Sequence, residues 1–125
     1  MKIGIIGIGN MGAAIVKGMK KSFPEIVIAI MDADNKKAEE GSKVVLGKTF
    51  PHKDYENFCA YSDIIILAVK PQHLDELLTN LSGFTKNKKI ISIAAGKTIK
   101  YFEEKTGSEN VIRFMPNIAA TVGES

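Results

Sequence analysis

The amino-terminal segment most constrains the fold, because a short apolar stretch runs directly into a glycine-rich turn. Residues 2–6 read Lys-Ile-Gly-Ile-Ile, and the pattern G-x-G-x-x-G follows at Gly7, Gly9 and Gly12. Between a strand and a helix, Gly7 makes the tight turn, Gly9 admits a phosphate close to the backbone, and Gly12 lets the helix pack on the strand. The N–H groups of the first helical turn then point at the negative charge. This segment predicts a site for the pyrophosphate of a dinucleotide.

The helix that follows the turn has an apolar face. Residues spaced at i, i+3, i+4, i+7 and i+8 lie on one side of a helix, and the residues expected to face inward by this spacing are Met11, Ala14, Ile15, Gly18 and Met19. Three lysines, at positions 17, 20 and 21, are then free to face water. Because strand, turn and helix agree, we prefer a ligand site to the alternative of a glycine-rich turn that binds nothing.

Composition indicates a globular chain of one domain. The 125 residues are 45% hydrophobic and 25% charged, and no stretch is long enough to span a bilayer. A net charge of +3 with dispersed lysines does not indicate a nucleic-acid partner. The single cysteine, Cys59, has no internal disulfide partner, and no Cys/His spacing suits a metal. We therefore expect a cytoplasmic protein with no metal site, in which His52 and His73 are surface residues.

Apolar, β-branched runs alternate with helical patterns along the whole chain. The predicted strands lie near 2–6, 26–31, 47–50, 63–69, 89–94 and 111–115, and the predicted helices near 10–22, 34–45, 53–61, 71–82 and 98–106. This alternation predicts an α/β fold with a doubly wound parallel sheet, the Rossmann-type NAD(P)-binding domain, in the strand order 3-2-1-4-5-6. The run at 63–69 is apolar without alternation, as in a central strand covered on both faces. Four leucines, Leu74, Leu77, Leu78 and Leu81, are predicted to be core.

The second predicted strand ends at an acidic residue. Asp32 stands 20 residues after Gly12, where a carboxylate accepts the adenosine ribose hydroxyls and repels a 2′-phosphate. This favours NADH over NADPH. The alternatives are a plain loop carboxylate at Asp32, and a phosphate site formed by residues 35–37, Asn-Lys-Lys. Asp34 is also a candidate cap for the next helix.

Three other segments fall at the carboxyl ends of predicted strands. They are Ala68-Val69-Lys70-Pro71-Gln72, Ser92-Ile93-Ala94-Ala95-Gly96 and Arg113-Phe114-Met115-Pro116-Asn117. Small residues there let backbone touch a ligand. Lys70 precedes a proline and is expected to be extended, which carries its ammonium over the crevice toward a phosphate or a substrate carboxylate. The alternative is a lysine that is only solvated.

Together with residues 7–12, these three segments resemble, in order and spacing, the amino-terminal domain of pyrroline-5-carboxylate reductases. The resemblance covers the whole chain. It implies that Ile8, Asn10 and Met11 lie under the pyrophosphate, that Asp32 and Asp34 meet the adenosine ribose, and that Val69, Lys70 and Ala95 surround the nicotinamide. The predicted cofactor-binding set is Gly7, Ile8, Gly9, Asn10, Met11, Gly12, Asp32, Asp34, Ala68, Val69, Lys70, Pro71, Ala94, Ala95 and Asn117.

The resemblance also implies an activity, the reduction of 1-pyrroline-5-carboxylate to L-proline by NADH or NADPH. Members of the family continue into a helical carboxy-terminal domain that pairs two subunits and holds most of the substrate, so a homo-oligomer is expected of the full-length enzyme. Residues 1–125 are expected to be the dinucleotide-binding domain, with no catalytic residue of its own and no activity alone. Tyr55 stands where the family usually has an asparagine near the adenine, and many members lack an acid at Asp32.

Two alternatives remain at this point. The first is another NAD(P)-dependent imine or β-hydroxyacid reductase built on the same kind of domain. The second, from a different class, is a nucleotide-sensing module without enzymatic activity. The segments that end at Gln72 and Asn117 favour the pyrroline-5-carboxylate reductase.

Overall fold

A computed structural model describes residues 1–93 and 97–114. Its strands are β1 (Lys2–Ile6), β2 (Val27–Met31), β3 (Lys48–Thr49), β4 (Ile64–Leu67), β5 (Lys89–Ser92) and β6 (Asn110–Arg113). Its helices are α1 (Asn10–Ser22), α2 (Asn35–Val45), α3 (Tyr55–Tyr61), α4 (Leu74–Leu81) and α5 (Ile99–Thr106), with a 3₁₀ turn at Pro71–His73. The predicted alternation of strands and helices is confirmed, with most ends within two residues of the expected ones.

The sheet is parallel throughout the described pairs, in the order β3-β2-β1-β4-β5-β6. The predicted fold class and strand order are therefore confirmed. At the centre of the sheet, Gly4 of β1 lies between Ala29 of β2 and Ile65 of β4. The chain winds one way from β1 to β3 and the other way from β4 to β6, so the two directions diverge beside the carboxyl ends of β1 and β4. A crevice forms at such a point because the connections leave on opposite sides.

Helices cover the two faces of the sheet and divide the core into two clusters. One cluster joins the sheet to α3, α4 and α5 through Phe58, the four α4 leucines and Phe102. The other joins it to α1 and α2 through Val16, Ala38 and Val45. All four leucines are at most 7% exposed, which confirms the predicted inward face of α4. Two buried layers hold the strand ends in fixed positions around the crevice.

The predicted face of α1 is partly wrong. Gly12 and Val16 are the buried residues of this helix, whereas Ala14 and Gly18 are exposed. The reason is that Gly12 must face the turn at Gly7, which rotates the helix away from the orientation that side-chain spacing alone suggests. The first turn of the helix expected at 71–82 is a separate 3₁₀ turn, because Pro71 begins it and α4 starts only at Leu74.

Candidate functional site

A crevice of about 430 Å³ opens at the carboxyl ends of β1, β2 and β4. One wall is formed by the glycine-rich turn and the end of β2, through Gly7, Gly9, Asp32 and Ala33. The residues after β4 form a second wall. The glycine-rich turn that the sequence predicts to bind a pyrophosphate therefore borders a cavity at the carboxyl ends of β1 and β4.

The three glycines of the turn have three different environments. Gly7 has φ +100°, and a Cβ there would lie 2.7 Å from the carbonyl oxygen of Ala68. A Cβ on Gly12 would overlap the carbonyl oxygen of Gly7. Gly9 has extended backbone (φ −68°, ψ −167°), and no atom lies within 4 Å of its would-be Cβ. The fold itself therefore requires glycine at two of these positions, and the third faces open space in the crevice.

The amino terminus of α1 presents free hydrogen-bond donors beside Gly9. The Gly7 N–H donates to the Met31 carbonyl at 2.9 Å, and the Ala13 N–H donates to the Gly9 carbonyl at 2.8 Å. Between them, the N–H groups of residues 10–12 have no hydrogen-bond partner within residues 1–93 and 97–114, and no side chain caps this helix end. Unpartnered N–H groups and the positive end of the helix dipole form a cradle for an anion.

Asp32 bridges the glycine-rich turn and the β2–α2 loop. Its Oδ2 accepts the Ile8 N–H at 2.7 Å, and its Oδ1 accepts the Asp34 N–H at 2.8 Å. Asp34 in turn accepts the N–H groups of Lys36 and Lys37 at 3.0 and 3.4 Å, so its capping role in α2 is confirmed. Both carboxylates thus bind backbone donors of this chain.

The wall after β4 is formed by Ala68, Val69 and Lys70. Lys70 has extended backbone (φ −67°, ψ 148°), as expected for a residue before proline, and its carbonyl accepts the His73 N–H at 2.9 Å. The side chain is exposed at the edge of the crevice. Pro71 begins the 3₁₀ turn that leads into α4.

A third wall was not predicted from the sequence, except that the family resemblance places Tyr55 where relatives have a residue near the adenine. It comes from the loop before α3 and from the inner side of the segment 73–80, and consists of His52, Lys53, Tyr55, His73, Glu76, Leu77 and Asn80. Burial raises the pKa of Tyr55, while a hydrogen bond with Asn80 lowers it. The two histidines, expected only as surface residues, also line the crevice. No motif marks this wall, because its residues meet only when β3 and β4 pair with the sheet.

The His52 N–H donates to Asn35 Oδ1 at 2.9 Å, which ties the loop before α3 to the first residue of α2. Lys53 follows with φ +78°, in the left-handed region that non-glycine residues rarely occupy. Lys53 lines the same crevice as Asp32 and Ala33.

The structure brings part of the predicted cofactor-binding set to the crevice surface. The members that line it are Gly7, Gly9, Asp32, Ala68, Val69 and Lys70. Ile8, Asn10, Met11, Gly12, Asp34 and Pro71 lie in the adjoining turns and helix starts. Ala94, Ala95 and Asn117 lie outside the described residues, as does Pro116.

No group of His, Cys, Asp and Glu within residues 1–93 and 97–114 is arranged to hold a metal ion. In the same part of the chain, none of the helices has both the length and the apolar character needed to cross a membrane.

The doubly wound parallel sheet and the anion cradle at its switch point define the class of dinucleotide-binding-type α/β domains. Residues 2–96 match the family profile described as "NADP oxidoreductase coenzyme F420-dependent". The chain belongs to this family.

Curated relatives make the resemblance more specific. Pyrroline-5-carboxylate reductase of Methanosarcina acetivorans is 39% identical over 99% of this chain and 47% of its own length. Pyrroline-5-carboxylate reductase 2 of Bacillus subtilis is 32% identical over 99% of the chain and 45% of its own length. The chain thus spans about half the length of the curated relatives it matches. The resemblance to these reductases, predicted from four motifs, is confirmed.

Solved structures of pyrroline-5-carboxylate reductases also superpose on this chain. Pyrroline-5-carboxylate reductase from Streptococcus pyogenes superposes with a TM-score of 0.79 at 29% identity, covering 98% of this chain and 45% of that structure. The Plasmodium falciparum pyrroline carboxylate reductase with NADP bound gives 0.77 at 29% identity, with the same coverage of 98% and 45%. Prephenate dehydrogenase from A. aeolicus gives 0.80 at 17% identity over 94% of this chain and 42% of its own, a likeness of fold alone.

Proposed function

We propose that this chain binds NADH or NADPH in the crevice and is the cofactor-binding domain of a pyrroline-5-carboxylate reductase. The observation that carries the proposal is the open position at Gly9. A Cβ there would have no atom within 4 Å apart from the two neighbouring residues, yet the adjacent N–H groups of α1 have no partner in the described part of the chain. An anion held against the backbone accounts for both features, and a pyrophosphate fits such a cradle.

The identity of the cofactor is supported by the relatives. The matching family is described as NADP oxidoreductases, and the similar Plasmodium falciparum enzyme was solved with NADP bound. We propose that NADH is preferred here, because Asp32 and Asp34 place two carboxylates at the end of β2, where a 2′-phosphate would be repelled. The adenine then lies toward the wall that contains Tyr55 and Asn80.

The nicotinamide end is proposed to lie along the wall formed by Val69 and Lys70. In the whole enzyme, bound NADH or NADPH would supply a hydride to the imine carbon of 1-pyrroline-5-carboxylate and be oxidised to NAD⁺ or NADP⁺. The ring nitrogen would take up a proton, which yields L-proline. The residues of this chain orient the donor and exclude water, and the exposed ammonium of Lys70 attracts the substrate carboxylate. We assign no acid, base or nucleophile to this chain.

The remaining half of the relatives' length is proposed to supply the substrate-binding groups and the contact between two subunits. Residues 1–125 then act as a single dinucleotide-binding domain within a homo-oligomeric reductase. The small-molecule imine is the proposed partner, and a cytoplasmic location without nucleic-acid partners is consistent with one cysteine and a net charge of +3.

Titration of the chain with NADH, followed by calorimetry, tests the cofactor site. Gly9→Val is expected to remove binding because its side chain fills the path of the pyrophosphate. Gly18→Val is the matched control: it lies in the same helix, and its would-be Cβ also has no atom within 4 Å. Equal NADH affinity in the Gly9 and Gly18 variants would contradict the site, and loss of folding in Gly9→Val would contradict the claim that the position is open.

A further inference from the structure

The carboxylate of Asp32 holds two loops together at the mouth of the crevice. Its two oxygens accept the N–H groups of Ile8 at 2.7 Å and of Asp34 at 2.8 Å. Directly before Ile8, the Gly7 N–H donates to the Met31 carbonyl at 2.9 Å. Two successive residues of the glycine-rich turn are therefore tied to the end of β2, one through backbone and one through the Asp32 side chain.

Asp32 Oδ2 is the acceptor that the described residues give to the Ile8 N–H. Ile8 is 7% exposed, and its side chain packs in the core cluster beside α2. An N–H group that is buried without an acceptor is unfavourable, and a carboxylate is a strong acceptor because the hydrogen bond is charge-assisted. Asp32 thereby fixes the backbone immediately before Gly9, the residue that faces the open cradle.

We propose that Asp32 is a positioning residue that keeps the glycine-rich turn in its phosphate-binding conformation, and that contact with the adenosine ribose is not its main contribution. This inference rests on the proposed function and changes the role expected from the sequence. Both oxygens of the carboxylate already accept a backbone N–H, so a ribose hydroxyl has to share an acceptor with one of them.

Measuring the affinity of three ligands for two proteins separates the positioning role of Asp32 from direct contact with the ribose. The ligands are ADP, 2′-deoxy-ADP and 3′-deoxy-ADP, and the proteins are the unmodified chain and Asp32→Asn. Asparagine keeps one oxygen, so it accepts the N–H of Ile8 or of Asp34 but not both. We expect Asp32→Asn to weaken all three ligands by the same factor, about tenfold, as for one lost charge-assisted hydrogen bond. Equal factors mean that the carboxylate and the ribose hydroxyls act independently.

Asp63→Asn is the matched control. Asp63 Oδ2 also accepts a backbone N–H from β1, that of Lys2 at 2.9 Å, but at the end of the strand opposite the crevice. We expect this variant to keep the affinity for ADP unchanged, whatever its effect on the melting temperature. A purely structural role for Asp32 would make the two variants alike in this comparison.

Three outcomes would overturn the inference. The first is that Asp32→Asn lowers the affinity for ADP but not that for one of the deoxy analogues, which would mean that Asp32 contacts the ribose hydroxyl missing from that analogue. The second is unchanged affinity for ADP in Asp32→Asn. The third is absence of ADP and NADH binding to the unmodified chain, which overturns the proposed function as well and is therefore distinguishable from the other two. If Asp32→Asn does not fold, Asp32→Ser supplies the same comparison.

Discussion

Gly12 approaches Gly7 so closely that a Cβ on Gly12 would overlap the carbonyl oxygen of Gly7. This contact sets the rotation of α1 against β1 and places the first N–H groups of the helix at the crevice. The turn therefore has one glycine needed for packing and another, Gly9, that the fold leaves open.

We predict that Gly12→Ala lowers the free energy of unfolding by about 2 kcal/mol, because overlap with backbone cannot be relieved by a rotamer change. Gly9→Ala is expected to stay within about 0.5 kcal/mol of the unmodified chain. Gly18→Ala, in open space within the helix, is expected to add about 0.5–1 kcal/mol. Urea unfolding followed by circular dichroism measures all three, and a Gly12 variant as stable as the Gly9 variant would contradict the packing role.

A second prediction concerns which lysine contacts the 2′-phosphate when NADPH binds. Lys53 lines the crevice, whereas Lys36 and Lys37 are not among the residues that line it. We expect Lys53→Gln to weaken NADPH about two- to fivefold and NADH less, as for loss of a solvent-exposed charge contact. Lys36→Gln is the control with the same change in charge. A larger decrease in NADPH affinity in Lys36→Gln than in Lys53→Gln would indicate that the 2′-phosphate binds at the loop after β2.

A hydrogen bond between two helices predicts how stability depends on pH. The Tyr101 hydroxyl of α5 donates to Asp75 Oδ1 in α4. This bond lowers the pKa of Asp75 below 3.8. Burial, followed by the bond to Asp75, raises the pKa of Tyr101 to about 12. The tyrosine contribution to stability is complete below pH 10.0 and is lost as the pH rises through about 12. The aspartate contribution is present above pH 3.8 and is lost as the pH falls through the lowered pKa.

Tyr101→Phe removes the bond, and we expect its melting temperature to fall relative to the unmodified chain at neutral pH, with the difference shrinking toward both extremes. Tyr61→Phe is the control, because it also removes one tyrosine hydroxyl, from a ring on α3 that packs against Phe50 rather than between α4 and α5. The measurement is the melting temperature of each protein across the pH range. A difference between Tyr101→Phe and the unmodified chain that does not change with pH would contradict the coupling of stability to these two pKa values.

A fourth prediction concerns the thiol of Cys59. The residue is 1% exposed, and burial raises its pKa to about 11. The thiolate is the reactive form, so we expect no reaction with a disulfide reagent at neutral pH while the protein is folded, and one equivalent after denaturation. Rapid labelling of the native protein would show that α3 opens readily.

The sequence predicted most of what backbone patterns determine. Strand order, the buried leucines of α4, the cap at Asp34 and the extended backbone at Lys70 all follow from local periodicity or from single-residue chemistry. The face of α1 was misjudged because close approach of backbone at Gly12 outweighs the spacing of apolar side chains.

The third wall of the crevice could not be predicted in the same way. His52 and Asn80 are separated along the chain by α3, β4 and most of α4, and they meet only through sheet pairing and helix packing. The role of Asp32 depends on a hydrogen bond to a residue 24 positions away, which the fingerprint spacing does not reveal. Contacts of this kind require the tertiary structure.

The last prediction concerns the edge of the sheet at β6. Ile112 and Phe114 are 46% and 51% exposed, and no strand within the described residues pairs with the outer side of β6. An apolar edge with free backbone groups is a template for pairing with another copy of the chain. We therefore expect self-association that increases with concentration, measured by sedimentation. Ile112→Lys should reduce it, whereas Leu46→Lys should not, because Leu46 is 84% exposed but lies beside the opposite edge, next to β3. Association that is unaffected by the Ile112 change, or equally reduced by both, would show that the contact between copies does not use this edge.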